Sequence, residues 1–300
     1  MPRVAIATPD FDDIVDTFRN KLGMPVVDLS DTYLPTLGAR LAMCVPPGGS
    51  HIELMSPAVA AAPLSQSLQR FLDRRGAGLF ALMLEAVDPD AEAELLARRG
   101  LRVLPLMPGA GGRDIHPAST HGVLVRIYPE NSYLGPRPAV SPINAVTGIQ
   151  RVIIAVTDLA AAVVAYGERL GLVVDPPAQD NERGVRCALV HPPRGGTIEL
   201  VAVHDSRQAF AGAVAAHLAS NPEGLYALVL QAPDPVALLE PLRTSGLQAH
   251  PASDAADVIE ITRASLFGVL VRIEPAPDGQ RPPANDLARQ ATDTDWRPTA

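Results

Sequence analysis

Apolar and polar residues alternate with period two along several short runs of this chain. In RVAIA, Val4 and Ile6 fall on one face and Arg3, Ala5 and Ala7 on the other; in HIELM, Ile52 and Leu54 oppose His51, Glu53 and Met55. In GVLVRIY, Val123, Val125 and Ile127 oppose Leu124, Arg126 and Tyr128. Successive strand side chains point to opposite faces, so each run predicts a strand with one aliphatic face to bury. Between such runs the spacing turns helical. It predicts a helix over about Phe11 to Leu22, with Asp10 as N-cap and Gly23 as stop, and another over about Ala91 to Arg99, ended by Gly100. Gly100 and Gly246 both follow predicted helices, where a left-handed residue closes the last turn.

The same pattern returns along the chain. RVAIATPDFDDIVDTFRNKLGMPVV from Arg3 is echoed by RVIIAVTDLAAAVVAYGERLGLVV from Arg151, HIELM by TIELV from Thr197, and GLFALMLEAVDPD from Gly78 by GLYALVLQAPDPV from Gly224. GVLVRI occurs twice, at Gly122 and Gly268. Order and spacing are kept, so the chain reads as two copies of one domain, residues 1–130 and 149–275. A Pro-rich linker, 131–148, joins them, and a Pro-rich polar tail containing Trp296, 276–300, follows. Each copy divides again into strand, helix and three strands, giving four βαβββ modules. The expected class is α+β: two paired-module domains, each a curved open sheet around a cup. Polar residues on the second face of otherwise apolar strands are what the inner wall of such a cup needs.

Composition narrows the function classes. With 47% hydrophobic and 19% charged residues in 300, plus 30 Pro and 23 Gly, the chain is globular with many turns. A net charge of −8 excludes capture of nucleic acid or an anionic membrane by charge alone. There is no apolar run of 18 residues, and MPRVAIATPDFDD lacks the apolar core of a signal peptide, so a cytoplasmic protein is expected. Cys44 and Cys187 are too few for a disulfide framework or a cysteine metal cage and read as core residues.

The fourfold arrangement, the opening RVAIATPDFDDIVDTFRNKLG, the segment HIELMSP, the run FLDRRGAGLFALMLEAVDPD and the end GGRDIHPASTHGVLVRIYPE resemble the vicinal oxygen chelate superfamily. That group includes glyoxalase I, extradiol dioxygenases and bleomycin-resistance proteins, and the pattern is similar to that of methylmalonyl-CoA epimerase. The resemblance implies a divalent metal held by one side chain from the first and one from the last strand of each of two modules, typically His, Glu or Gln, His and Glu. Those positions fall on Arg3, Glu53, Ala81 and Arg126 in the first copy and on Arg151, Glu199, Ala227 and Arg272 in the second. A guanidinium has no acceptor and repels a cation, so no metal and no other cofactor is expected.

The Arg–Glu–Arg set occurs in both copies and has two readings. One is a structural cluster, Glu53 bridged by Arg3 and Arg126, and Glu199 by Arg151 and Arg272. The other is an anion pocket, forked donors holding a carboxylate, enolate or phosphate while Glu53 or Glu199 transfers a proton. His51, two residues before Glu53, is a further candidate base. His116 lies in DIHPASTHG, and Arg113 follows the glycine-rich GAGG; both are candidates for ligand contact in a loop able to wrap an anion. The second copy has SDAAD in place of GAGG and neither loop histidine, which makes the first cup the better ligand site. The expected partner is a small anionic metabolite, an acyl-CoA or a hydroxy or keto acid, bound or transformed by proton transfer next to a carbonyl, in a monomer or homodimer. A non-catalytic binder of the bleomycin-resistance type is the alternative, and a protein with both cups closed by salt bridges a third.

Overall fold

The computed structural model describes residues 3–48, 50–133 and 146–276. Residues 134–145 of the expected linker and 277–300 of the expected tail, Trp296 included, lie outside the described residues.

In the first half the elements are β1 (Arg3–Ala7), α1 (Phe11–Asp16), β2 (Val26–Asp28), α2 (Ser30–Leu37), β3 (Ala39–Cys44), β4 (His51–Pro57), α3 (Pro63–Arg75), β5 (Gly78–Ala86), α4 (Pro89–Arg98), β6 (Arg113–Ile115) and β7 (Leu124–Pro129). The second half follows the same order, with a strand β10 in place of α2 and an added β14: β8 (Gly148–Ala155), α5 (Leu159–Val163), β9 (Val173–Val174), β10 (Ala178–Asp180), β11 (Val185–His191), β12 (Thr197–Val203), α6 (Ala209–Ser220), β13 (Gly224–Ala232), α7 (Leu239–Thr244), β14 (Ala249–Pro251), β15 (Ile259–Ile261) and β16 (Leu270–Pro275). Helices α1 and α5 each widen into a π-helical turn, Thr17–Lys21 and Val164–Arg169. Asp88 and Asp158 cap α4 and α5 by accepting backbone N–H bonds, whereas the Asp10 carboxylate makes no cap bond to α1. Gly100 and Gly246 do stand in the left-handed region, at φ 83° and 88°.

The first sheet runs β2-β3-β4-β1-β5-β7-β6 and the second β10-β11-β12-β8-β13-β16-β15-β14, with β9 on β11. Both sheets are open. In each, two modules join edge to edge through an antiparallel pair, β1 with β5 and β8 with β13. The modules therefore pair within each half.

The alternation read from the sequence sorts the side chains as expected. Val4, Ile6, Ile52, Leu54, Leu82 and Val125 face out of the first cup into a core cluster with Phe11, Ile14 and Leu96 of the helices. That cluster continues through Val152, Ile154, Leu200, Leu228 and Val271, so the halves share one core. The inner faces form two separate clusters. Ala5, Ala7, Met55, Ala81 and Met83 pack beneath Leu64 and Leu68 of α3; Ile153, Ala155, Val201, Ala227 and Val229 pack beneath Phe210 and Val214 of α6. These roofing helices, and α2, add to the elements read from periodicity above. Across the seam, Tyr166 Oη donates to the Thr120 carbonyl at 3.2 Å and His121 meets Glu223 at 2.8 Å. Among the described residues no helix is long and apolar enough to cross a membrane.

Candidate functional site

Strand register brings the first cup's polar residues together. Arg3 stands opposite Met83, Met83 opposite Arg126, and Glu53 lies beside Ala5. Met83 rather than Ala81 therefore shares a row with the two arginines. Arg3, Glu53 and Arg126 are only 5%, 2% and 5% exposed. Buried charges persist only when paired, and each has a partner. Arg3 donates through Nη1 to Glu53 Oε1 at 2.8 Å and through Nη2 to the Ser132 hydroxyl. Arg126 does not bridge Glu53, as the structural-cluster reading has it. It donates to the Asp114 carboxylate at 3.2 Å and to the Ala110 carbonyl at 3.2 Å. The Tyr128 ring serves both arginines, whose guanidinium carbons each lie 5.1 Å from its centroid.

Beside this row lies a cavity of about 210 Å³. Arg3, Glu53, Arg126, Tyr128 and Ser132 form its polar end; Leu37, Leu41, Met55, Leu64, Phe80 and Met83 wall the rest. Gly109, Ala110 and Gly111 of the glycine loop also line it. Buried polar atoms are normally hydrogen-bonded, yet Glu53 Oε2, Asp114 Oδ1 and Arg126 Nε have no such bond. Burial pushes the Asp114 carboxyl above its usual range, against the pull of Arg126 and Arg113, and burial also raises the Tyr128 phenol.

The second cup has the same backbone and a different filling. Arg151 bonds Glu199 at 2.8 Å and holds both oxygens of Glu274, at 2.7 and 2.8 Å. Arg272 does not reach Glu199; it bonds Asp254 at 2.9 and 3.0 Å and Glu260 at 2.5 Å. The second partner of Glu199 is Arg183, at 2.5 Å, and Phe210 lies under Arg183 and Arg272, 5.2 Å from each. Burial alone would raise the Glu199 carboxyl, but Arg151 and Arg183 hold it below the usual range. The repeat pairs Tyr128 with Glu274, Leu64 with Phe210, and Leu37 with Arg183, each before or after matched segments. Three substitutions thus change the filling, bringing in an aromatic ring, a carboxylate and a guanidinium, while Arg151, Arg183 and Glu199 line a cavity of about 610 Å³ with Cys187, Leu189 and Gln231.

The remaining sequence candidates sit elsewhere. His51 packs edge-on against Tyr133, ring centroids 5.1 Å apart, and is not among the residues lining the cavity. His116 accepts the Ala118 N–H through Nδ1 and so caps a short 3₁₀ turn; Arg113 points away from the cup to Asp90 at 2.7 Å. Asp114, Tyr128, Ser132, Arg183, Asp254, Glu260 and Glu274 were not singled out by sequence. Alternation offers a signal for three of them: Asp114 is the polar neighbour of core Ile115, and Tyr128 and Glu274 follow their arginines by two.

A metal at the positions implied by resemblance would meet Arg3, Glu53, Met83 or Ala81, and Arg126. Guanidinium lends no lone pair, so this donor set does not suit a chelated cation. Among the described residues no three His, Cys, Asp or Glu side chains group as a metal site.

Two open sheets, each built from paired βαβββ modules around a cup, define a tandem paired-module α+β protein. The family model described as glyoxalase/bleomycin resistance protein/dioxygenase superfamily matches residues 3–116, and that of a glyoxalase-like domain matches residues 152–288. The chain is a member of the vicinal oxygen chelate superfamily. Comparison with the curated proteins gives no match. Among solved structures, a variant of 4-hydroxymandelate synthase from Streptomyces coelicolor is similar with a TM-score of 0.64 at 12% identity, over 92% of both chains. A fusion of a xylose isomerase-like TIM barrel with 4-hydroxyphenylpyruvate dioxygenase gives 0.57 at 12% identity, over 97% of this chain and 51% of that one. Methylmalonyl-CoA epimerase from Mycobacterium tuberculosis is 26% identical over 51% of this chain and 97% of its own, with a TM-score of 0.40. The first two likenesses concern the tandem fold.

Proposed function

We propose that the first cup binds a small acid or acyl group with a short apolar tail, without a metal ion, and that Glu53 moves a proton at the carbon next to its carbonyl. The observation that carries this reading is Glu53 itself: it lines a cavity that is polar at one end and apolar at the other, and one of its buried oxygens has no hydrogen-bond partner. A carboxylate so placed can take a proton from carbon while the electron pair moves onto the carbonyl oxygen; returning the proton completes the cycle. Arg3 orients Glu53, and Arg126 with Arg3 offers N–H donors to the oxygen where charge develops. Hydroxy acids, keto acids and acyl thioesters all fit this chemistry. A cavity of about 210 Å³ takes the acyl end of a CoA thioester and leaves its nucleotide outside. Arg151, Arg272 and Glu199 act as structural partners in the second cup.

Non-catalytic binding is the second reading, favoured by the 2.8 Å pair between Arg3 and Glu53, which engages one of the two carboxylate oxygens. One experiment separates the two. The protein is incubated in D₂O with 3-methyl-2-oxobutanoate, 2-hydroxyisovalerate and propionyl-CoA, with binding followed by thermal shift and exchange by NMR. Deuterium entering next to the carbonyl, lost in Glu53→Gln while binding persists, supports the enzyme. Binding without exchange leaves a binder, and a panel with no binding overturns both.

A further inference from the structure

We infer that an anion entering the first cup brings one proton with it, and that Asp114 is the group that takes the proton. This rests on the reading of the first cup as an acid-binding site. The starting point is a charge count: the buried groups of the cup are Arg3 and Arg126 against Glu53 and Asp114, all 7% exposed or less. Two positive and two negative charges cancel. A carboxylate arriving alone would leave one uncompensated negative charge among buried groups, which is strongly disfavoured. A proton taken up together with the anion removes that charge.

The geometry points to where the proton goes. Glu53 is held by Arg3 at 2.8 Å, within the range of roughly 2.7–2.9 Å expected of a charge-assisted bond. Asp114 lies 3.2 Å from Arg126, longer than the partnerships of Arg151 and Arg272 with their hydrogen-bonded carboxylates, all at 3.0 Å or less. Arg126 also divides its donors between Asp114 and the Ala110 carbonyl. Asp114 Oδ1 is buried and makes no hydrogen bond, the Arg126 Nη1 lying 3.2 Å away. The groups facing Asp114 are few. From β7 they are Arg126 and, beyond it, Tyr128; Arg113 on its own strand is turned to Asp90; the glycine loop presents backbone. Burial already favours the uncharged carboxyl. With Asp114 neutral the cup carries one net positive charge, the complement of a monoanion. Asp114 touches no ligand and acts through Arg126, as a charge-setting residue.

The test is titration calorimetry of 3-methyl-2-oxobutanoate from pH 5 to 9, each point in two buffers of different ionisation enthalpy. Wild-type protein is expected to take up close to one proton per anion bound once Asp114 is ionised, with Kd rising about tenfold per pH unit there. Asp114→Asn, checked by thermal melting, is expected to bind without proton uptake and with an affinity that stays flat with pH. Wild-type binding that is flat over the whole range overturns the inference alone. Uptake that survives in Asp114→Asn overturns the choice of Asp114. Absence of binding in both proteins overturns the inference together with the reading beneath it.

Discussion

Replacing Arg3 with Met isolates the energetics of the first cup. The methionine keeps most of the apolar stem, so what is removed is the charge, the 2.8 Å bond to Glu53 and the bond to Ser132. The larger consequence is for Glu53, which is 2% exposed and already has one oxygen without a partner. Its carboxylate would be left buried and uncompensated. Breaking one side of a buried ion pair destabilises by about 3–5 kcal/mol; a protein of this size then loses about 5–8 °C in Tm. Urea denaturation and calorimetry at pH 7 measure it. The double variant Arg3→Met/Glu53→Leu should return to within about 1–2 kcal/mol of wild type, because an apolar pair of similar size carries no desolvation penalty. A loss below about 1 kcal/mol in Arg3→Met would refute the picture of a dry ion pair. A double variant as unstable as the single one would assign the loss to packing on Tyr128 instead.

Further outcomes are expected elsewhere. Tyr128→Glu puts into the first cup the residue that bridges Arg151 and neighbours Arg272 in the second, and should weaken binding of 3-methyl-2-oxobutanoate by about tenfold or more in calorimetry, roughly 1.4 kcal/mol. Glu199 has a folded-state pKa below its unfolded value of 4.5, so its stabilisation is present above that pH and lost as pH falls through the lower folded value. Glu199→Gln should lower Tm at pH 7 and flatten its decline between pH 5 and 2. Gly100→Ala should cost only the strain of φ 83°, about 1–2 kcal/mol, because nothing lies within 4 Å of the added methyl. Gly122→Ala, where that methyl would sit 1.8 Å from the Glu223 carbonyl oxygen, should cost on the order of 4 kcal/mol in urea denaturation, by forcing the halves apart.

Much of the fold was legible because a strand's two faces report their surroundings separately. Val4, Ile6, Ile52 and Leu54 named the shared core, and Arg3 and Glu53 on the opposite face named the cup wall. The roofing helices were harder to read. In α3, Leu64 and Leu68 sit among Ser and Gln, and in α6 alanines blur the boundary between faces. Which carboxylate meets which arginine was legible only in part: Arg3 pairs with Glu53 and Arg151 with Glu199 as read, but the partners of Arg126 and Arg272 were missed. Two residues apart on one strand guarantees a shared face, but Arg126 finds Asp114 through the β6–β7 register, and Arg272 finds Asp254 through a loop. Nor was it legible that His116 would cap a short 3₁₀ turn or that Arg113, at the start of β6, would turn to Asp90.

The contrast between the cups follows from a handful of side chains on one backbone plan. Glu274 can enter the second cup because Arg151 and Arg272 already flank its position, so a single carboxylate satisfies two cations at once, at 2.7 and 3.6 Å. Phe210 then occupies volume that Leu64 leaves vacant, and Arg183 enters where Leu37 only lines a wall. In the first cup the same two arginines are balanced by Tyr128, which offers a polarisable face and no formal charge. Their counter-charges come instead from Glu53 and Asp114 at opposite ends of the row, and neither carboxylate is fully bonded. In the first cup the guanidinium groups stand beside an apolar hollow with Tyr128, where the second cup sets Glu274, and the proposed binding role of the first cup rests on this difference rather than on the arginines common to both copies.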